Sequence, residues 1–568
     1  MTSLRTPPEL SRAAAPELPK APRLRMRGLS AGELARRLAP ALVAGVLAAV
    51  YVIVSPPSLD LAAQMFRAQL FRVEGFGVWD NWWYSGHHIV GYSLLFPPFS
   101  AALSPQLAAA IAATATAAAF EPLARRHFGA DAWLGAVVFG AATAVNLYTG
   151  RLAFAFGALP AIGALVALDR GRTRLACALA ALTALCSPVA ALFAALAAAA
   201  HAIGTYAAQR SLGPAQRKLR PALGGVAVAF AALAPVALLA IAFPEGGSEP
   251  FAFGSLWPIV LLATGALVAL PNYAWKLRAG VVLYTLGTIA AYLVATPVGS
   301  NAARLGTFIA APLAALLWWR RRIALLIVAA IPLLYLEWQA PIRDLSGASG
   351  NPSASAGYYQ PLLNFLARES VPPTPPFRTE IPFTRFHWEA YVVATRFPIA
   401  RGWERQLDIK DNSVFYNGRL TAAKYAAWLH QNAVRFVAAP DAPLYFSAQA
   451  EMALISRGLP YLRLVMHTAH WRVYAVANAT PIVQGAATLT AMGPDSLTLR
   501  AGRAVKILVH VRFTPYWSLA QGFGCVSPAG AFTALTLTRP GIVKLQTSFS
   551  LSRVGARSPR CRRPAADH

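Results

Sequence analysis

The residues best suited to chemistry gather early in the chain, between 58 and 98. This stretch carries Asp60, Glu74 and Asp80, then His87 and His88, among Trp79, Trp82, Trp83, Tyr84 and Tyr92. Asp60 follows Pro56-Pro57 by three residues, where a first apolar run ends. A carboxylate held at an apolar boundary suits a general base that takes a proton from an acceptor hydroxyl. Asp60 and Asp80 are therefore the catalytic candidates, as base or as ligands of a divalent cation. Carboxylate oxygens would select Mg²⁺ or Mn²⁺. The structural alternative has Asp60 capping a helix and Asp80 capping a turn. His87 and His88 could meet a metal or a phosphate oxygen, or serve as hydrogen-bonded structural residues. Trp82 and Trp83 join them as substrate-binding candidates, since tryptophan favours the level of lipid headgroups.

Two arginines stand out by position. Arg151, in Tyr148-Thr149-Gly150-Arg151, and Arg304, in Gly299-Ser300-Asn301-Ala302-Ala303-Arg304, both fall at predicted helix ends. Arginine offers a planar fork that binds phosphate bidentately, so both are candidates for the phosphate of a lipid-linked substrate. Snorkelling to lipid headgroups is the other reading. Glu245 and Glu249 read as solvated turn residues. The run Arg401-Gly402-Trp403-Glu404-Arg405-Gln406-Leu407-Asp408 reads first as an arginine–acid structural network, with stacking on an acceptor sugar as the alternative.

Composition sets the elements that must position these residues. Of 568 residues, 56% are hydrophobic and only 13% charged, about half the charge of a typical soluble domain. Apolar runs lie near 39–57, 99–121, 131–149, 153–168, 175–186, 188–207, 222–243, 256–270, 279–295, 305–319 and 323–337. They predict about eleven transmembrane helices. Cys186-Ser187-Pro188 breaks the stretch 175–207, which fits two short helices or a re-entrant hairpin. A net charge of +28 could suggest nucleic acid, but the Lys and Arg fall in short clusters between apolar runs and in the tails. That pattern argues against a nucleic-acid binder, whose Lys and Arg would cluster on one soluble face. With the N-terminus inside, the cytoplasmic segments hold 22 Lys/Arg and the opposite short loops four. The split predicts a multi-pass membrane protein, N-terminus inside and C-terminal region outside, and the Arg- and Ala-rich composition suggests that the membrane is the cytoplasmic membrane of a bacterium.

The expected organisation begins with a basic disordered tail at 1–38. A transmembrane domain follows at 39–339, with its long first exterior loop at 58–98. A linker rich in Pro, Ser and Gly covers 340–375, an exterior α/β domain 376–480, a β-sandwich-like domain 481–555 and a basic disordered tail 556–568. Within the first loop, 61–73 has the pattern of a helix lying in the membrane interface. Residues 421–430 predict a helix, and 434–437, 461–466 and 471–476 predict strands. Beyond 482, short strands such as 504–513 and 541–552 alternate with Gly/Pro turns. Cys177 and Cys186 read as small buried residues. Cys525 and Cys561 could pair, although two cysteines make no disulfide framework.

Together these features resemble the GT-C superfamily of integral membrane glycosyltransferases. The likeness rests on an N-in first helix, the acid Asp60 just after it, and the Trp-rich loop with Trp79-Asp80-Asn81-Trp82-Trp83-Tyr84. Ser187-Pro188 resembles a mid-membrane turn of such proteins. Phe513-Thr514-Pro515-Tyr516-Trp517, with Gly522 and Gly541, is similar to the terminal β-domain of the YfhO-like family. The 6-pyruvoyl-tetrahydropterin-synthase-related membrane domain is another look-alike. The resemblance covers most of 39–555. It implies a mainly α polytopic fold with an exterior α/β and β-sandwich region. It further implies a polyprenyl-phosphate sugar donor, a glycan or glycolipid acceptor in the cell envelope, and inversion at the anomeric carbon. Asp60 would be the base and Arg304 would hold the donor phosphate. One departure is that Asp60 is followed by Leu61-Ala62, with no D-x-D or E-x-D pair, which weakens a metal-dependent mechanism more than the fold. A non-catalytic envelope-assembly protein and a transporter or flippase are the rival readings.

Overall fold

The computed structural model describes residues 30–210 and 219–563. Most of the expected N-terminal tail and the end of the C-terminal one lie outside them. Helix α1 (Ala31–Val54) opens on Ser30, whose hydroxyl accepts the Glu33 N–H and so satisfies a free first-turn donor. After it come α2 (Leu61–Glu74), the two-residue strands β1 (Trp79–Asp80) and β2 (His87–His88), and α3 (Phe96–Leu103). The following helices are α4 (Pro105–Phe128), α5 (Trp133–Tyr148), α6 (Leu152–Asp169), α7 (Thr173–Cys186) and α8 (Pro188–Arg210). Then come α9 (Arg220–Ala242), α10 (Phe253–Ala269), α11 (Trp275–Leu293), α12 (Ala303–Trp318) and α13 (Ile323–Ala348).

Each apolar run of the sequence coincides with one of α1 or α4 to α13. Among the described residues, seven helical stretches are long and apolar enough to cross a membrane. One of them, Pro105–Tyr148, contains both α4 and α5, while α7 and α10 are apolar but shorter. Their buried seams are alanine-rich, with Ala108, Ala109 and Ala113 of α4 against Ala48 of α1, Ala144 of α5 and Ala155 of α6. Small residues let helix backbones approach closely where lipid offers no hydrophobic driving force. Val46, Ile53, Phe230 and Val268 point outward, as lipid-facing residues do. The break at Cys186-Ser187-Pro188 separates two helices, α7 and α8. It is capped from the first loop: the Leu94 and Leu95 amides donate to the Leu185 carbonyl, and Ser93 Oγ donates to that of Cys186. The free carbonyls at the end of α7 thereby find donors.

The Pro-, Ser- and Gly-rich stretch 340–375 is more ordered than a linker. It holds the end of α13 and helix α14 (Gln360–Glu369), whose Leu362, Leu363 and Leu366 are buried. Next comes a four-stranded sheet of β3 (Arg378–Glu380), β4 (Val434–Pro440), β5 (Leu462–His467) and β6 (Trp471–Val476), in the order β3-β4-β6-β5. Only the first pair is parallel. Helices α15 (Glu389–Val392), α16 (Arg405–Asp411), α17 (Ala422–Gln431) and α18 (Gln449–Ser456) pack around it.

Helix α2 belongs to this domain's core. Ala63, Phe66 and Leu70 bury with Trp83, Tyr359, Leu362, Phe383 and Trp403. Trp83 stacks on Phe66 at 4.1 Å, and burial of one such side chain contributes about 2–3 kcal/mol. The apolar face that the sequence suggests for a membrane interface is therefore covered by protein.

The last domain is a sandwich of two antiparallel sheets. Its strands are β7 (Val483–Gln484), β8 (Ala487–Met492), β9 (Ser496–Ala501), β10 (Val505–Arg512), β11 (Trp517–Gln521), β12 (Gly524–Ala529), β13 (Phe532–Leu537), β14 (Gly541–Thr547) and β15 (Arg560–Arg562). The sheets run β15-β12-β13-β10-β7 and β11-β14-β9-β8. Leu497, Leu499, Val509, Leu535 and Leu545 fill the space between. Arg560–Arg562, expected as disordered tail, adds an edge strand because the Cys525–Cys561 disulfide ties it to β12.

Candidate functional site

Asp60 stands half-buried in the turn between α1 and α2. One close backbone approach brings another loop to it, and a second joins two loops nearby. Gly150, at φ +71°, lets the α5–α6 turn press on residues 58–61; a Cβ there would lie 2.6 Å from the Leu61 nitrogen. Only glycine tolerates both the conformation and the contact. The next residue, Arg151, stands within electrostatic reach of Asp60, Arg304, Asp344 and Arg343. Gly299, at φ +37°, joins the α11–α12 turn to the α9–α10 loop in the same way, its Cβ position being 1.7 Å from the Glu249 carbonyl oxygen. Ser300 Oγ donates to Glu249 Oε1 at 2.9 Å, and Arg405 pairs with the same oxygen at 2.9 Å. Arg304, in the first turn of α12, acts electrostatically on Glu249, as Asp60 does.

The α/β domain closes over this group. Trp403 Nε1 donates to Asp60 Oδ1 at 3.2 Å. Tyr445 packs edge-on against Trp403 at 5.1 Å. His387 stacks flat on Trp403 at 3.4 Å.

The electrostatics favour an anion here. Burial and the like charge of Arg304 lower Arg151 to about 10, still a cation at neutral pH. Among the described residues neither Arg151 nor Arg304 has a side-chain hydrogen-bond or ion-pair partner, and Arg304 Nε is buried without one. Unpartnered guanidinium groups in a half-buried setting suit a phosphate. One turn further along the helices lies a narrow slot lined by Thr116, Thr143, Asn146, Ala155, Ala158 and Phe308. Ala155 follows Arg151 by four residues and Phe308 follows Arg304 by four, so each lies on its arginine's side of the helix. A second, apolar cleft lies between α2 and residues 89–97, lined by Arg67, Leu70, Phe71, Phe76, Ile89 and Leu94.

Of the eight residues that the sequence nominates, Asp60, Arg151 and Arg304 come together. The other five build the joint between the first loop, the α/β domain and the sandwich. Asp80 is fully buried; it accepts the Trp82 and Trp83 amides at 3.0 and 3.3 Å. Its charged neighbours are Arg67 and Glu74. This is the geometry of a turn cap. Burial lifts its carboxyl to about 7, with the two amides opposing. His87 faces it at 3.6 Å, stacks on Trp83, and is pushed down by burial to about 4. His88 bridges Glu245 Oε1 (2.8 Å) and Thr514 Oγ1 (3.0 Å), linking the α9–α10 loop to the sandwich. Burial would raise the Glu245 carboxyl, but the His88 hydrogen bond and charge hold it below its ordinary value. Trp83 is fully buried and donates to the Ala390 carbonyl, and the Trp82 carbonyl accepts the Ile399 amide.

Reading the sequence alone misses Arg343 and Asp344, which fall in the supposed linker, and gives no role to Tyr445. The cluster at 401–408 divides. Arg401 and Asp408 are buried together, 2.7 Å apart, near Glu380 and Glu451, whereas Trp403 and Arg405 face the Asp60 group. Among the described residues no three His, Cys, Asp or Glu side chains gather to hold a metal. No family model matches the sequence, and none of the curated proteins compared with it is significantly similar.

Proposed function

We propose that this protein is a GT-C-like glycosyltransferase of a bacterial cytoplasmic membrane, moving a sugar from a polyprenyl-phosphate donor to a cell-envelope glycan or glycolipid. In this reading α1 and α4 to α13 make eleven crossings, with the N-terminus inside and the α/β and sandwich domains outside. The observation that carries it is the meeting of Asp60 with two unpartnered arginines, Arg151 and Arg304, from three separate loops.

The donor's phosphate would sit between Arg151 and Arg304. The Asp60 carboxylate takes the acceptor's hydroxyl proton. The acceptor oxygen bonds to the anomeric carbon as the carbon–oxygen bond to phosphate breaks, so the configuration inverts. The leaving phosphate carries the charge that develops, and both guanidinium groups stabilise it. Trp403 fixes the carboxylate through its indole N–H.

A second reading, a non-catalytic assembly factor, is favoured by one feature: no second carboxylate of the first loop reaches Asp60, since Asp80 is turned to the Trp82 and Trp83 amides. Asp60→Asn separates the two. Membranes containing the variant should lose transfer of radiolabelled sugar from polyprenyl phosphate by about a thousandfold while the protein remains folded. Unchanged transfer, or no transfer by the native protein with a panel of polyprenyl-phosphate hexoses, would discard the enzyme reading.

A further inference from the structure

The terminal sandwich has a charge imbalance that the site above does not use. Between residues 482 and 563 there are eleven Lys/Arg and a single acid, Asp495. Their distribution follows from strand direction. The ends of β9, β13 and β15 and the starts of β10, β12 and β14 share one end of the sandwich, as the pairs Ala501–Gly541, Val505–Leu537 and Gly524–Arg562 require. That end carries Arg500, Arg503, Lys506, Arg539 and Arg562, all exposed. Among the described residues none has an acidic partner, whereas Arg512, at the other end, pairs with Asp411. Arg539 and Arg562 flank the Phe523 ring at 5.2 and 5.9 Å.

The other end is spoken for. The Gly493 and Pro494 carbonyls accept from Asn81, the Arg512 amide donates to Ser85, and Tyr516 donates to Ala242 at the end of α9. The basic pole is thus the end opposite the helices. The bilayer holding those helices is not what it meets. The Cys525–Cys561 bond belongs to an oxidising compartment, where nucleic acid is not the usual polyanion.

We infer that this pole binds an anionic glycan, a sugar polymer bearing carboxylate or phosphate groups. The arginine forks take the acid groups, and Phe523 between two arginines offers an edge for a sugar ring. The surface holds such a polymer near the membrane independently of the chemistry at Asp60.

The test uses the full chain in nanodiscs of zwitterionic lipid. Fluorescent polygalacturonate, dextran of similar length and phosphatidylglycerol vesicles are the probes. Polygalacturonate should bind, and weaken at least about tenfold between about 50 and about 200 mM salt. The triple variant R503E/K506E/R539E should bind it at least about tenfold more weakly with unchanged melting temperature, and Asp60→Asn should bind it normally. Equal binding of dextran, or indifference to the triple variant, overturns the inference. Vesicles held by these residues with polygalacturonate unbound would overturn it in favour of a second bilayer.

Discussion

The Trp403 indole donates a hydrogen bond to Asp60 Oδ1 at 3.2 Å, joining residues 343 positions apart in the chain. Trp403 is itself held between His387, stacked at 3.4 Å, and Tyr445. A carboxylate oriented by a rigid aromatic donor keeps its free oxygen aimed in one direction, as preorganised sites require.

Replacing Trp403 by Phe keeps the stack and removes the donor. Transfer of labelled sugar in membranes should then fall in kcat by about tenfold, with KM for the donor nearly unchanged. A loss confined to KM would show that Trp403 binds substrate instead of orienting Asp60.

Arg67 and Glu404 lock α2 to the α/β domain. Their 2.7 Å pair is buried, and the Arg67 guanidinium also lies 3.8 Å over the Tyr92 ring. Arg67→Met leaves the Glu404 charge buried without its partner and should destabilise by about 3–5 kcal/mol. Adding Glu404→Gln should recover a large part, a coupling that melting curves of the four proteins measure directly. Additive losses would mean that the ion pair does not hold the two parts together.

Asp80 predicts a pH dependence. Burial raises its carboxyl to about 7, so the folded protein keeps a proton that the unfolded chain releases near pH ~4. Its contribution to stability is complete below about pH 4 and is lost as pH rises through about 7. Asp80→Asn removes that loss. The native protein's stability relative to the variant should therefore decline by a few kcal/mol between about pH 4 and about pH 8. His87, which burial holds at about 4, titrates in the opposite sense but remains in both proteins. Melting temperatures whose difference ignores pH would refute a protonated Asp80.

The sequence by itself determined what depends on neighbours along the chain. The eleven apolar runs became helices, seven stretches of them long and apolar enough to cross a membrane, because a chain in lipid must satisfy its own backbone hydrogen bonds. The run 421–430 overlaps α17 and 461–466 overlaps β5, each offset by one residue, and 434–437 and 471–476 fell within β4 and β6, because period and turn residues are local signals. Residue type nominated Asp60, Arg151 and Arg304 alongside Asp80, His87, His88, Trp82 and Trp83. Only the tertiary structure divided them. Gly150 lets the Arg151 turn touch the Asp60 turn and Gly299 joins the turn before Arg304 to the Glu249 loop, while the α/β domain folded around the second set. A tryptophan that could stack on a sugar has the same side chain as one that stacks on Phe66. Distance across the fold, which no local pattern records, decides between them.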